Sequence, residues 1–121
     1  MNIEVIREYC LKKTGVAEEL PFGEETLVFK VMGKIFILAS LDSIPLQVNL
    51  KCDPEKAIEL REEYEAVQPG YHMNKRHWNT VIIDGSIPGK KILEWIDNSY
   101  NLVAAGLKKA DLVKLNKLRN K

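Results

Sequence analysis

The chain has 121 residues, 45% of them hydrophobic and 29% charged, and a formal net charge of +1. That is the length of one ordinary domain, with enough apolar side chains to bury a core without disulfide or metal staples. A domain pI above about 9 is the usual footprint of a strongly basic nucleic-acid binder, so any such role here must rest on a local patch.

Cys10 and Cys52 are the two cysteines, with no C-x-x-C and no secretory framework. Residues 1–13 carry charges throughout and lack the apolar stretch of a signal peptide. No apolar run approaches the ~20 residues needed to cross a bilayer. The expectation is a cytoplasmic protein that does not engage membranes.

In chain order, a helix is expected over about residues 2–13. Ile3, Ile6, Tyr9 and Cys10 recur at helical spacing, and Gly15 stands where a left-handed cap belongs. Cys10 then reads as a small core residue. A loop follows through Glu18, Glu19, Pro21, Phe22 and Gly23. Residues 26–31 alternate as a strand, with Leu27, Phe29 and Val31 on one face and Thr26, Val28 and Lys30 on the other. Met32-Gly33-Lys34 turns the chain into a return strand through Leu41. After the turn at Asp42-Ser43-Ile44-Pro45, Leu46, Val48 and Leu50 alternate with Gln47, Asn49 and Lys51, the pattern of a half-buried strand.

Asp53-Pro54-Glu55 is a helix start, with Asp53 as cap, Pro54 in the first turn and Glu55 complementing the dipole. That helix is expected to run to Tyr64. Pro69-Gly70 predicts a turn, followed by two short strands over about 71–73 and 77–83 with Asn74-Lys75-Arg76 as their tip. Ser86 and Pro88 introduce a long helix ending before Gly106. Consecutive strands this close leave no room for helical crossovers, so the fold class is α+β with an antiparallel sheet.

Residues 108–121 hold Lys108, Lys109, Lys114, Lys117, Arg119 and Lys121 against Asp111 alone, a net charge of +5 that leaves −4 for the rest. Leu107, Leu112, Val113, Leu115 and Leu118 give this stretch an apolar side. It reads either as a terminal helix docked by its leucines or as a basic surface for nucleic acid, membrane or an acidic partner.

No nucleophile elbow, P-loop or dinucleotide fingerprint is present, and the acidic pairs Glu18-Glu19 and Glu62-Glu63 lie in polar stretches that read as solvated faces. The chain is therefore expected not to be an enzyme and to need no cofactor. His72 and His77, the only histidines, lack a third ligand at metal spacing. The unusual segment is Tyr71-His72-Met73-Asn74-Lys75-Arg76-His77-Trp78-Asn79. Cations for phosphates, aromatic planes for bases and amides for polar edges are the side chains that nucleic-acid sites combine. A solvated hairpin whose Tyr71 and Trp78 pack on the core would show the same residues. If their strands are neighbours, Gln47, Asn49, Lys51, His77 and Asn79 would share one polar face.

The segments Pro21-Phe22-Gly23, Asn49-Leu50-Lys51-Cys52-Asp53-Pro54-Glu55 and Pro69-Gly70-Tyr71-His72-Met73-Asn74-Lys75-Arg76-His77-Trp78-Asn79-Thr80-Val81 closely resemble the MmcQ/YjbR family, as does the helix over about 93–103. The likeness divides the chain into a family-like domain over 1–109 and a basic, helical extension over 110–121. It implies a frataxin/CyaY-like α+β domain whose antiparallel sheet is covered on one side by helices. It also implies binding of duplex DNA through two β-hairpin wings, a double wing. Carried over residue by residue, Lys75, Arg76, His77 and Asn79 would contact nucleic acid, with Lys51 and Asn49 behind them and Lys34 on the second wing. A protein-interaction or adaptor domain using the same face is the alternative. Frataxins display an acidic ridge on the first helix; here Glu4 and Glu8 stand against Arg7, Lys12 and Lys13, which disfavours an iron role.

Overall fold

The computed structural model describes residues 1–71 and 73–120. Its elements are α1 (Ile3–Leu11), β1 (Val16–Glu19), β2 (Thr26–Val31), β3 (Lys34–Ser40), β4 (Leu46–Lys51), α2 (Pro54–Glu63), β5 (Val67–Pro69), β6 (Trp78–Ile83), α3 (Gly89–Ala105) and α4 (Lys109–Arg119). The strands form one antiparallel sheet in the order β1-β2-β3-β4-β6-β5. The result is a single α+β domain. Among the described residues no helix is long and apolar enough to cross a membrane.

Period-2 alternation decides which face of the sheet is covered. Leu27, Phe29 and Val31 of β2, Ile37 and Ala39 of β3, Val48 and Leu50 of β4, and Val81 and Ile83 of β6 face the helices. There they meet Ile6 and Cys10 of α1, Ala57 and Leu60 of α2, and Ile92, Ile96, Tyr100 and Val103 of α3. Cys10 is fully buried, and burial pushes its thiol up to about 12. α1 and α3 are joined where the Tyr9 hydroxyl donates to both Asp97 oxygens, at 2.7 and 2.8 Å, and Lys13 pairs with the same carboxylate.

A bulge in β3 adapts the sheet to α3. Phe29 pairs with Ile37 but Lys30 pairs with Ile35, so Phe36 is an extra residue and both Phe36 and Ile37 are buried. Phe36 meets Tyr100 edge-to-face at 5.3 Å. Beyond Ile37 and Leu50 the β3–β4 pairing stops. There the Ser99 hydroxyl of α3 donates to the Phe36 carbonyl at 2.6 Å and accepts from the Lys51 N–H at 2.8 Å.

Four expectations differ from the structure. Glu18 and Glu19, read as part of a loop, belong to edge strand β1, which is too short and acidic to show a strand pattern. Of the strand expected over 71–73, Tyr71 and Met73 lie outside any strand and His72 lies outside the described residues; the partner of β6 is β5, which contains Pro69. Proline is tolerated because β5 is an edge strand. The Asp53 side chain makes no capping bond to α2. Ser86 does not cap α3 either; its hydroxyl and N–H both donate to Asp84.

Candidate nucleic-acid interface

The registers place the β2–β3 turn, the end of β4 and the 70–77 loop at one end of the sheet. The first turn is tight, with φ of 47° at Met32 and 85° at Gly33, the doubly left-handed geometry of a short hairpin. Lys34 is exposed beside it. α4 docks at this same end. Leu115 is fully buried, and its Cδ1 occupies the space where a Cβ on Gly15 would lie, next to Met32 Sδ. Lys108, Lys109, Lys114, Lys117 and Arg119 are exposed around it.

Lys34, Lys51, Lys75, Arg76 and the α4 cations thus gather at one end. Ion pairs among the described residues join Arg7 to Glu18, Lys13 to Asp97, Lys30 to Glu19, Lys56 to Glu59 and Lys91 to Glu94. None of these pairs uses Lys34, Lys51, Lys75, Arg76 or an α4 cation. The opposite end, where β1 and β6 finish and α2 terminates, carries Glu24, Glu25, Asp42, Glu63, Glu65 and Asp84, with Lys90 and Lys91 among them.

The 70–77 loop is built by local bonds. The Met73 N–H donates to the Gly70 carbonyl at 2.9 Å, and the His77 and Trp78 N–H groups donate to the Asn74 carbonyl at 3.0 and 2.9 Å. Asn74 Oδ1 accepts from the Arg76 N–H at 3.0 Å, the side-chain turn for which asparagine is suited. Lys75 and Arg76 therefore sit at the apex of a defined turn, with Lys75 Nζ 5.1 Å from the Tyr71 ring centre. Gly70 is needed at the base. A Cβ there would meet the Trp78 carbonyl oxygen at 2.9 Å and its carbon at 3.1 Å, both backbone atoms.

Arg61 of α2 holds this loop from below. Its Nε donates to Asn79 Oδ1 at 2.7 Å, and one terminal nitrogen donates to the Lys75 and Trp78 carbonyls. Nothing in the charged run from Glu59 to Glu65 marks Arg61 except its spacing. It follows Ala57 by four residues and precedes Tyr64 by three, on the helix face turned to the sheet.

The face of the sheet away from the helices carries Thr26, Val28, Leu38, Ser40, Gln47, Asn49, Lys51, Trp78, Thr80 and Ile82, as the registers require. On it lies a groove of about 300 Å³ lined by Phe22, Thr26, Leu38, Ser40, Asn49 and Met73. The Thr80 hydroxyl donates to Asn49 Oδ1 at 2.7 Å, so the amide NH2 of Asn49 is turned away from β6. Phe22, 65% exposed, and Met73 come from the β1–β2 and 70–77 loops.

The residues singled out from sequence are therefore divided. Lys75, Arg76, Lys51 and Lys34 share the cationic end, and Asn49 lines the groove. His77 is half-buried at the foot of β6, its carbonyl accepting from the Cys52 N–H at 2.7 Å. Asn79 is not on the open face. It pairs with Leu50, is 2% exposed, and donates through Nδ2 to the Ala57 carbonyl at 3.3 Å. Thr80 takes the open-face place expected for it, beside Asn49. His72, considered with His77 as a metal ligand, lies outside the described residues. Among the described residues no three His, Cys, Asp or Glu side chains converge as metal ligands.

Residues 11–102 match the family model described as YjbR. The chain belongs to the YjbR family. It is 46% identical over 92 residues to the uncharacterized protein YbdF of Escherichia coli O157:H7, a match covering 75% of each chain. It is 34% identical over 100 residues to the uncharacterized protein YjbR of E. coli K12, covering 83% of this chain and 85% of that one. Among solved structures, the crystal structure of Deinococcus radiodurans protein DR2400, described as a DUF419 domain, superposes with a TM-score of 0.88 at 38% identity. That match covers 95% of this chain and 88% of the other. A Pseudomonas syringae protein matches at a TM-score of 0.73 and 28% identity, over 84% of this chain and 98% of that one. The YjbR model ends within α3, so α4 lies outside the matched segment.

Proposed function

We propose that this YjbR-family chain is a non-enzymatic nucleic-acid-binding protein that grips the phosphates of duplex DNA with one end of its sheet. The observation that carries the reading is the gathering of Lys34, Lys51, Lys75, Arg76 and the α4 cations at that end, outside the ion pairs that hold the fold. Phosphate contacts supply most of the affinity of a protein for DNA, and a local cationic surface suffices for them even at low net charge. The β2–β3 and β5–β6 hairpins stand three strand spacings apart, about 14 Å. That separation is comparable with the roughly 12 Å width of the major groove.

The test is fluorescence anisotropy with labelled duplex across a range of salt, for the wild type and for Lys75→Ala/Arg76→Ala. Three or four phosphate contacts give a log–log salt slope near −3, at about −0.9 per contact. The double substitution should weaken binding and remove about two units of slope, because two cations no longer reach phosphates. Absence of a complex at the lowest salt would overturn the reading. A second reading, a protein-recognition surface on the open face, draws on exposed Phe22 beside the groove. It predicts a partner retained in a pull-down after nuclease treatment.

A further inference from the structure

We infer that the groove on the open face receives an unpaired base from a single-stranded nucleic-acid segment, an inference that rests on the nucleic-acid reading above. Its floor is made by adjacent strands. Thr26 pairs with Ser40, Leu38 with Asn49, and Asn49 with Thr80. Hydroxyls and an amide therefore alternate with the apolar Leu38 across a flat surface. Val28, beside Leu38 on this face, is wholly buried, so the floor is recessed rather than flush with solvent.

The walls are two side chains, Phe22 on one loop and Met73 on the other. A thioether adapts its shape to a flat ring, and an exposed phenyl offers a stacking plane that every base can use. About 300 Å³ is a volume at the lower end for small-ligand sites. It is of the order of the size of one nucleotide.

Charge gives the groove a direction. Lys51 lies two residues beyond Asn49 on the same strand face, and Lys75 and Arg76 follow Met73 in its loop. Glu24 and Glu25 follow Phe22 at the opposite end. A neutral base toward Phe22 with its phosphate toward Lys51, Lys75 and Arg76 satisfies both ends. The reverse orientation sets phosphate against carboxylates. Bases within a duplex are stacked and paired, so their faces cannot enter such a slot; unpaired bases can.

The experiment compares a blunt duplex with the same duplex carrying a short unpaired tail, by anisotropy, for the wild type, Phe22→Ala, Phe22→Tyr and Lys75→Ala/Arg76→Ala. The tail should tighten binding about tenfold, as one base–aromatic stack would. Phe22→Ala should erase that gain while leaving blunt-duplex affinity and its salt slope unchanged, and Phe22→Tyr should keep it. Lys75→Ala/Arg76→Ala should weaken both probes. Thermal melting of the Phe22 variants checks that the fold is intact, as expected for so exposed a side chain. Equal affinity for the two probes, or a gain that survives Phe22→Ala, overturns the inference while the duplex reading stands. A gain abolished by an equimolar free mononucleotide assigns the groove to a small ligand and also overturns it. No binding of either probe overturns both.

Discussion

Arg61 and Asn79 form a bridge between α2 and β6: Arg61 Nε donates to Asn79 Oδ1 at 2.7 Å, and Asn79 Nδ2 returns a bond to the Ala57 carbonyl one helical turn back. Because the same guanidinium also takes the Lys75 and Trp78 carbonyls, it sets where the cationic turn stands. Arg61→Ala leaves a buried amide oxygen without its donor, a loss of about 1–3 kcal/mol. The expected result is a lower denaturation midpoint and faster hydrogen exchange confined first to residues 70–77. Asn79→Ala should cost a similar amount. The double variant should cost much less than the sum, since both changes remove one network.

The Ser99 hydroxyl offers a second test. It serves the Phe36 carbonyl and the Lys51 N–H where β3 and β4 part. Ser99→Ala should destabilise by about 2–3 kcal/mol, because two backbone groups lose a partner in a dry site. Ser99→Thr should be milder if its methyl group is accommodated. Chemical denaturation measures both.

Leu115 fastens α4 to Gly15 and Met32. Leu115→Ala should cost about 2–5 kcal/mol, the usual range for emptying a fully buried leucine site. Lys114→Ala and Lys117→Ala, on exposed positions, should stay within about 0.5 kcal/mol. Parallel melts of the three variants separate docking of this helix from its charge.

Alkaline pH should unfold the protein through two groups. Burial raises the Cys10 thiol to about 12 from an ordinary value of 9.0, and the Asp97 hydrogen bond raises the Tyr9 phenol to about 12 from 10.0. Both folded values are raised, so their stabilisation is fully present below the ordinary values and is lost as pH climbs toward about 12. Stability measured against pH should decline from about 9 upward. Tyr9→Phe should flatten the part of the decline above about 10.

β4 was legible because Leu46, Val48 and Leu50 alternate without interruption and one face of their sheet is dry. β1 was not, since Val16-Ala17-Glu18-Glu19 is an edge strand whose acidic residues are held by Arg7 and Lys30 from elsewhere in the chain. Tyr71 and Met73 suit a strand by composition, but the β5–β6 pairing ends at Pro69 and Asn79, before either is reached. Asn79 reads as a polar face residue until its partners are known. Arg61 supplies the bond that makes burial tolerable, and it comes from a helix 18 residues away. The cations of the candidate site were visible as residue types. Their meeting at one end depended on strand register and on the docking of α4, which are tertiary facts.

The separation of charge along the sheet has a kinetic consequence. With a net charge of only +1, the molecule as a whole feels little pull toward a polyanion. Its opposed ends nevertheless form a dipole, and an approaching polyanion exerts a torque that turns the cationic end forward before contact. For the duplex binding proposed above, orientation of this kind would raise the fraction of productive encounters, and it would fade as salt shortens the reach of the field to about 8–10 Å.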